Sequence, residues 1–198
     1  NTDKRLGKKR KLGKASVRWK GAGAKAIFYR QLLEYKKNKY FFFDLSTVFA
    51  LAAGVGIAWL YVREGGFGEF TPFIIPAVSA YLIFIFAAMS GKWGKELASP
   101  YTYLIPDSAF AKLVNATAIQ HIQSVVNAVF ITVPGAVVME MSPSLALLCI
   151  LGYVALSANK LYALAVAQIV VGETLGIVGR QLFQLFLQGI VIMVALFG

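Results

Sequence analysis

The charges of this chain are packed into one end of it. Residues 1–40 carry 14 of the 20 Lys and Arg and only two acids, Asp3 and Glu34, so that segment stands at +12. The remaining 158 residues hold six basic and seven acidic side chains, a net of −1. A water-soluble domain needs charge around its whole surface, and residues 41–198 cannot supply it. A bilayer removes that need, because the outside of each helix then faces hydrocarbon. The fold expected is all-α: a polytopic transmembrane helix bundle with an N-terminal cytoplasmic amphipathic helix.

A helix needs about 20 mostly apolar residues to cross the hydrocarbon. Six apolar stretches qualify or nearly do: 40–62, 72–89, 113–139, 144–158, 161–178 and 182–197. Asn159-Lys160 is expected to separate the fourth from the fifth. Gly172-Glu173 and Gly176 interrupt the fifth with a charge and helix-weakening glycines, so the last two stretches read as re-entrant or broken. The basic N-terminus orients the set with its N-terminus in the cytoplasm of a multi-pass cell-membrane protein. The outer loops then hold Glu64, Glu69 and Glu140 with Arg63, and the inner loops are rich in lysine. Arg180 falls outside and is the one misfit.

Three regions follow: a basic disordered arm at 1–21, an amphipathic interfacial helix at 22–39, and a transmembrane domain at 40–198. The arm, with Lys8-Lys9-Arg10-Lys11, suits membrane lipids with anionic headgroups, each basic residue being worth about 1 kcal/mol near the surface. Beside a membrane anchor, no nucleic-acid partner is expected. Apolar Ile27, Leu32 and Leu33 mix with Lys25, Arg30 and Gln31 in the manner of a helix lying on the bilayer. Asp44, just inside the first stretch and about one turn from the interface, is expected to pair with Lys37 or Lys39. Trp59, Tyr61, Phe67 and Phe70 near the outer boundary, and Tyr40, Phe41 and Trp93 near the inner one, form belts of interfacial aromatics.

Polar residues concentrate in the third stretch. Thr117, Gln120, Ser124 and Asn127 recur at +3, +4 and +3 and so share one helix face. Such a face must look into protein or a wet cavity, since hydrocarbon offers no partners. It serves either hydrogen bonding between helices or the lining of a translocation path, to which Glu173 is also a candidate contributor. No enzyme constellation is present: there is no H-E-x-x-H, no paired Ser and His, and no aspartate cluster. One histidine, His121, and one cysteine, Cys149, build neither a metal site nor a disulfide. No cofactor is expected, and Cys149 reads as a small packing residue.

Between the second and third stretches, residues 91–110 are too apolar for a solvated spacer. Lys95, Glu96, Leu97, Pro100, Tyr101, Tyr103, Ile105, Pro106 and Asp107 make a patch of the kind that docks another protein, with Tyr101 to Ile105 exposed. Asp107 or Ser108 is placed to cap the following helix.

The run GKELASPYTYLIPDSAFAKLVNAT, residues 94–117, together with GAKAIFYRQLLEYKKNKYFFF, residues 23–43, resembles the Putative ABC exporter family, permeases of the type-2 transporter class. The resemblance covers about residues 20–130 well, and from about 140 onward it rests on hydropathy alone. It implies a permease that pairs with a second permease half or copy and works with a separate ATP-binding-cassette ATPase. That ATPase would dock on residues 91–110, and the interfacial helix would precede the first span. A chain that starts at Asn1 and ends in an apolar run suits the C-terminal half of a longer permease. The function expected is therefore transport and not catalysis. The alternative is a non-transporting scaffold or accessory subunit of a larger membrane complex.

Overall fold

The computed structural model describes residues 22–37, 44–86, 102, 104–170 and 176–197. All regular structure among them is helical: α1 (Lys25–Lys37), α2 (Leu45–Glu64), α3 (Thr71–Ile85), α4 (Ala109–Val138), α5 (Pro143–Val170) and α6 (Gly176–Phe197), with a 3-10 turn at Gly68–Phe70. Among the described residues, four helical segments are long and apolar enough to cross a membrane. They run over Leu45–Glu64, Gly68–Ile85, Ala109–Val138 and Pro143–Ala167. Their outward surfaces carry exposed apolar side chains such as Val55, Phe73, Phe84, Val125 and Leu151, which bilayer hydrocarbon would cover.

The first three spans lie close to where hydropathy puts them, with ends set by caps. Asp44 is exposed and is the N-cap of α2, where its carboxylate accepts from the Leu45 N–H at 2.7 Å. It therefore stands ahead of the span and not inside it, as the preference of Asp for helix starts favours. Gly65, at φ 71°, closes α2 in the left-handed conformation. Ser108 begins α4 by accepting from the Ala111 N–H at 3.2 Å. Ser142, at the end of the short turn after α4, accepts from the Leu145 N–H at 3.4 Å.

The fourth and fifth apolar stretches are not separate. α5 runs unbroken from Pro143 to Val170, through Asn159 and Lys160. Hydropathy marks that polar pair as a loop, but neither residue breaks a helix, and the Lys160 ammonium is provided for by donating to the Phe86 carbonyl at 2.6 Å. At 1.5 Å per residue, α4 and α5 are about 45 and 42 Å long, so each outruns a hydrocarbon core of about 30 Å.

Three buried clusters lie along the bundle. At one end Ile27 of α1 packs with Ala116 of α4 and with Leu161, Leu164 and Ala165 of α5. In the middle Ala50, Ala128, Ile131 and Tyr153 join α2, α4 and α5. At the far end Ile57, Ile75, Met139 and Cys149 meet, with Cys149 a buried free thiol in the packing role expected of it.

α2 and α4 make the most extensive packing in the bundle. The buried residues of α2 are Thr47, Ala50, Gly54 and Ile57, a narrow stripe of mostly small side chains. Such stripes let helix backbones approach closely in membranes. At Gly54 the approach is at its limit: a Cβ there would lie 2.5 Å from the Phe130 carbonyl oxygen and 2.9 Å from that of Ile131. Pro134 lacks the N–H that would otherwise bond to the Phe130 carbonyl, so this contact sits where the α4 hydrogen-bond ladder is interrupted. Because backbone cannot yield as a side chain can, Gly54→Val is expected to destabilise the bundle by about 1–3 kcal/mol, read as a lower unfolding temperature in detergent. Gly56→Val, at a position with open space around it, is the control and should leave that temperature unchanged.

Candidate functional site

The polar face of α4 is buried, and it reaches different neighbours along its length. Thr117 is fully buried and donates to the Leu113 carbonyl at 2.9 Å, one turn back on its own helix. Ser124 does the same with the Gln120 carbonyl at 2.9 Å, and its oxygen also lies 2.7 Å from that of Ser157 on α5. Hydroxyls in apolar surroundings take such carbonyls for want of water. The Asn127 amide donates to the Ser46 hydroxyl of α2 at 3.3 Å, and Tyr153 of α5 lies beside the same side chain. The sequence-predicted face is thus brought together in the interior, where it ties α4 to α2 and α5.

That tying does not use all of its hydrogen-bonding capacity. Gln120 Oε1, Gln123 Nε2, Asn127 Oδ1 and Thr132 Oγ1 are buried without a partner among the described residues. Leaving such an atom unpaired costs about 1–3 kcal/mol. The arrangement offers neutral donors and acceptors, suited to binding uncharged polar groups or water. Gln184 and Gln188 of α6 have buried, unpartnered Nε2 atoms as well. They were not singled out from sequence, although two glutamines four residues apart in an apolar helix share a face. His121 is engaged: its Nε2 lies 2.9 Å from the Tyr162 hydroxyl. No group of three or more His, Cys, Asp and Glu side chains that could hold a metal occurs among the described residues.

At the end of the bundle where α4 and α5 project, α1 is built into the structure. Its Ile27 and Gln31 are buried, and the Gln31 amide donates to the Ala116 carbonyl of α4 at 3.0 Å. The Tyr35 hydroxyl interacts with Gln123 on the polar face. Burial, and next the Asp44 carboxylate, push the Tyr35 pKa above its ordinary value, so it stays protonated across the physiological range. α1 was expected to lie on a bilayer surface, yet one of the side chains it buries is a glutamine, committed to a partner helix.

Of the expected docking residues, Lys95, Glu96, Leu97, Pro100, Tyr101 and Tyr103 lie outside the described residues, as does Glu173. The others are placed. Thr102 is buried and Ile105 packs against the Ile27 cluster, so the expected exposed patch is exposed at Leu104 and not throughout. Pro106 is exposed. Asp107 does not cap α4; its carboxylate accepts from the Ala24 N–H at the start of α1. Gly23 makes this possible: it sits at φ 65°, and any Cβ there would collide with the Asp107 carboxylate. Since a lost cap costs about 1 kcal/mol, Asp107→Ala should speed hydrogen exchange at the first turn of α1 and leave the middle of α4 unchanged.

A model of the family described as Putative ABC exporter matches residues 1–197. No curated protein and no solved structure matches the chain. Four helices able to cross a membrane, a polar face turned inward, and a family match along essentially the whole sequence agree, and the chain belongs to the Putative ABC exporter family, whose role is transport.

Proposed function

We propose that the chain is the membrane-spanning permease component of an ABC exporter in the cell membrane, driven by a separate ATPase that docks on its cytoplasmic face. The family match carries this reading, since an ABC exporter in general works with an ATP-binding-cassette ATPase. The cytoplasmic face is the end that bears α1 and the connection between α3 and α4. The basic N-terminus favours that orientation. Fusion of the fourth and fifth stretches into α5 supports it further, because one crossing fewer puts Arg180, near the start of α6, on the cytoplasmic side and removes the misfit in the charge pattern.

ATP hydrolysis in the partner would move the 91–110 connection, rock α3 and α4, and open a path along Thr117, Gln120, Ser124 and Asn127. Glu173 is a further candidate for that path. The unpartnered Gln120 and Asn127 oxygens support a path, because helix packing alone leaves them unused. A second permease half or copy would complete the other wall, and membrane lipids would hold the basic arm. The second reading, a non-transporting scaffold, is favoured by the Ser124–Ser157 and Asn127–Ser46 contacts, which use the same face for helix pairing.

Cysteines placed at Lys95 or Tyr101, with Cys149 replaced by Ala, should crosslink to the ATPase subunit in the assembled transporter. Free labelling of those cysteines by a water-soluble thiol reagent in the assembled state counts against docking there. Replacing Gln120 and Asn127 by Leu separates the two readings. A permease should still assemble and lose transport, whereas a scaffold should lose assembly.

A further inference from the structure

We infer that Lys160 is a positioning residue, whose ammonium group fastens the end of α3 to the face of α5 that holds the α4 polar stripe. Lys160 Nζ donates to the Phe86 carbonyl at 2.6 Å. Phe86 is the C-cap of α3, where unpaired carbonyls carry partial negative charge and favour a cation. Among the described residues the ammonium has no acidic partner, so this carbonyl is what compensates a positive charge in a membrane helix.

Ser157 and Tyr153 precede Lys160 by three and seven residues, so the three side chains lie on one face of α5. Ser157 meets Ser124 at 2.7 Å, and Tyr153 lies beside Asn127. One face of α5 therefore grips the end of α3 at one point and the polar stripe of α4 at two. The end of α3 cannot shift relative to α5 without breaking a charge-assisted hydrogen bond or carrying α5 with it. In the second case the Ser124–Ser157 contact moves too. The importance of this joint for export rests on the permease reading; the joint itself does not, and it is tested on the chain alone.

The test is a disulfide trap across that contact: Ser124→Cys with Ser157→Cys, in a Cys149→Ala background, oxidised in nanodiscs without any ATPase. With Lys160 present the pair should close readily. In Lys160→Met closure should slow by about tenfold, the effect of losing one hydrogen bond to a charged group, and Lys160→Arg should restore it. A local role at α3 only would leave closure unaffected, so equal rates in the Lys160 and Met backgrounds overturn the inference, whatever the ATPase experiments return. A slow Met variant that Arg does not restore overturns it as well. If Lys160→Met does not give folded protein, Lys160→Gln is read in the same way.

Discussion

A polar side chain in hydrocarbon has no water to turn to, so it must find its partner inside the protein. That constraint falls hardest on α4, which carries Thr117, Gln120, Gln123, Ser124, Asn127 and Thr132 along its buried side. The rest of the bundle is arranged to answer it. α2 brings Ser46, α5 brings Ser157 and Tyr153, and α1 brings Tyr35. Thr117 and Ser124 take carbonyls of their own helix. The close approach of α2 at Gly54 lets such short side chains reach across from helix to helix. The atoms left over are then informative: each is a hydrogen bond that packing does not supply and that water or a solute can.

Length supplies a second constraint. α4 and α5 outrun the hydrocarbon, so their ends need cover of another kind. α1 gives it by burying Ile27 against Ala116, Leu161 and Leu164, and by spending the Gln31 amide on an α4 carbonyl. The two flanks of the connection between α3 and α4 are bound at this same end. Phe86 is bound by Lys160 before it, and Asp107 is bound to α1 after it.

Much of this was legible in the sequence. Lopsided charge and long apolar runs dictate membrane helices, since nothing else can use such a surface. The +3, +4, +3 spacing of Thr117, Gln120, Ser124 and Asn127 places them on one inward face, because helix periodicity is local and neighbours do not alter it. The helix start at Ser108 follows from a side chain that favours caps. The 94–117 run carries the family resemblance that the family match bears out.

Other features were hidden because they depend on atoms distant in sequence. Hydropathy sees Asn159-Lys160 as an interruption; only the Phe86 carbonyl, brought within 2.6 Å by the packing of α3 on α5, makes that lysine admissible within a helix. Asp107 or Ser108 reads as a cap for the helix that follows; Ser108 takes that place, and folding delivers the Asp107 carboxylate to Ala24, 83 residues away. Gly54 looks like any glycine in an apolar helix until α4 lies against it. The sequence by itself thus determined that the chain folds into apolar helices, the first three close to their expected bounds, and which face of α4 turns inward, because both follow from local periodicity and the absence of water. Tertiary structure alone decided which helix answers each polar group, because a hydrogen bond forms with whatever the fold places within about 3 Å.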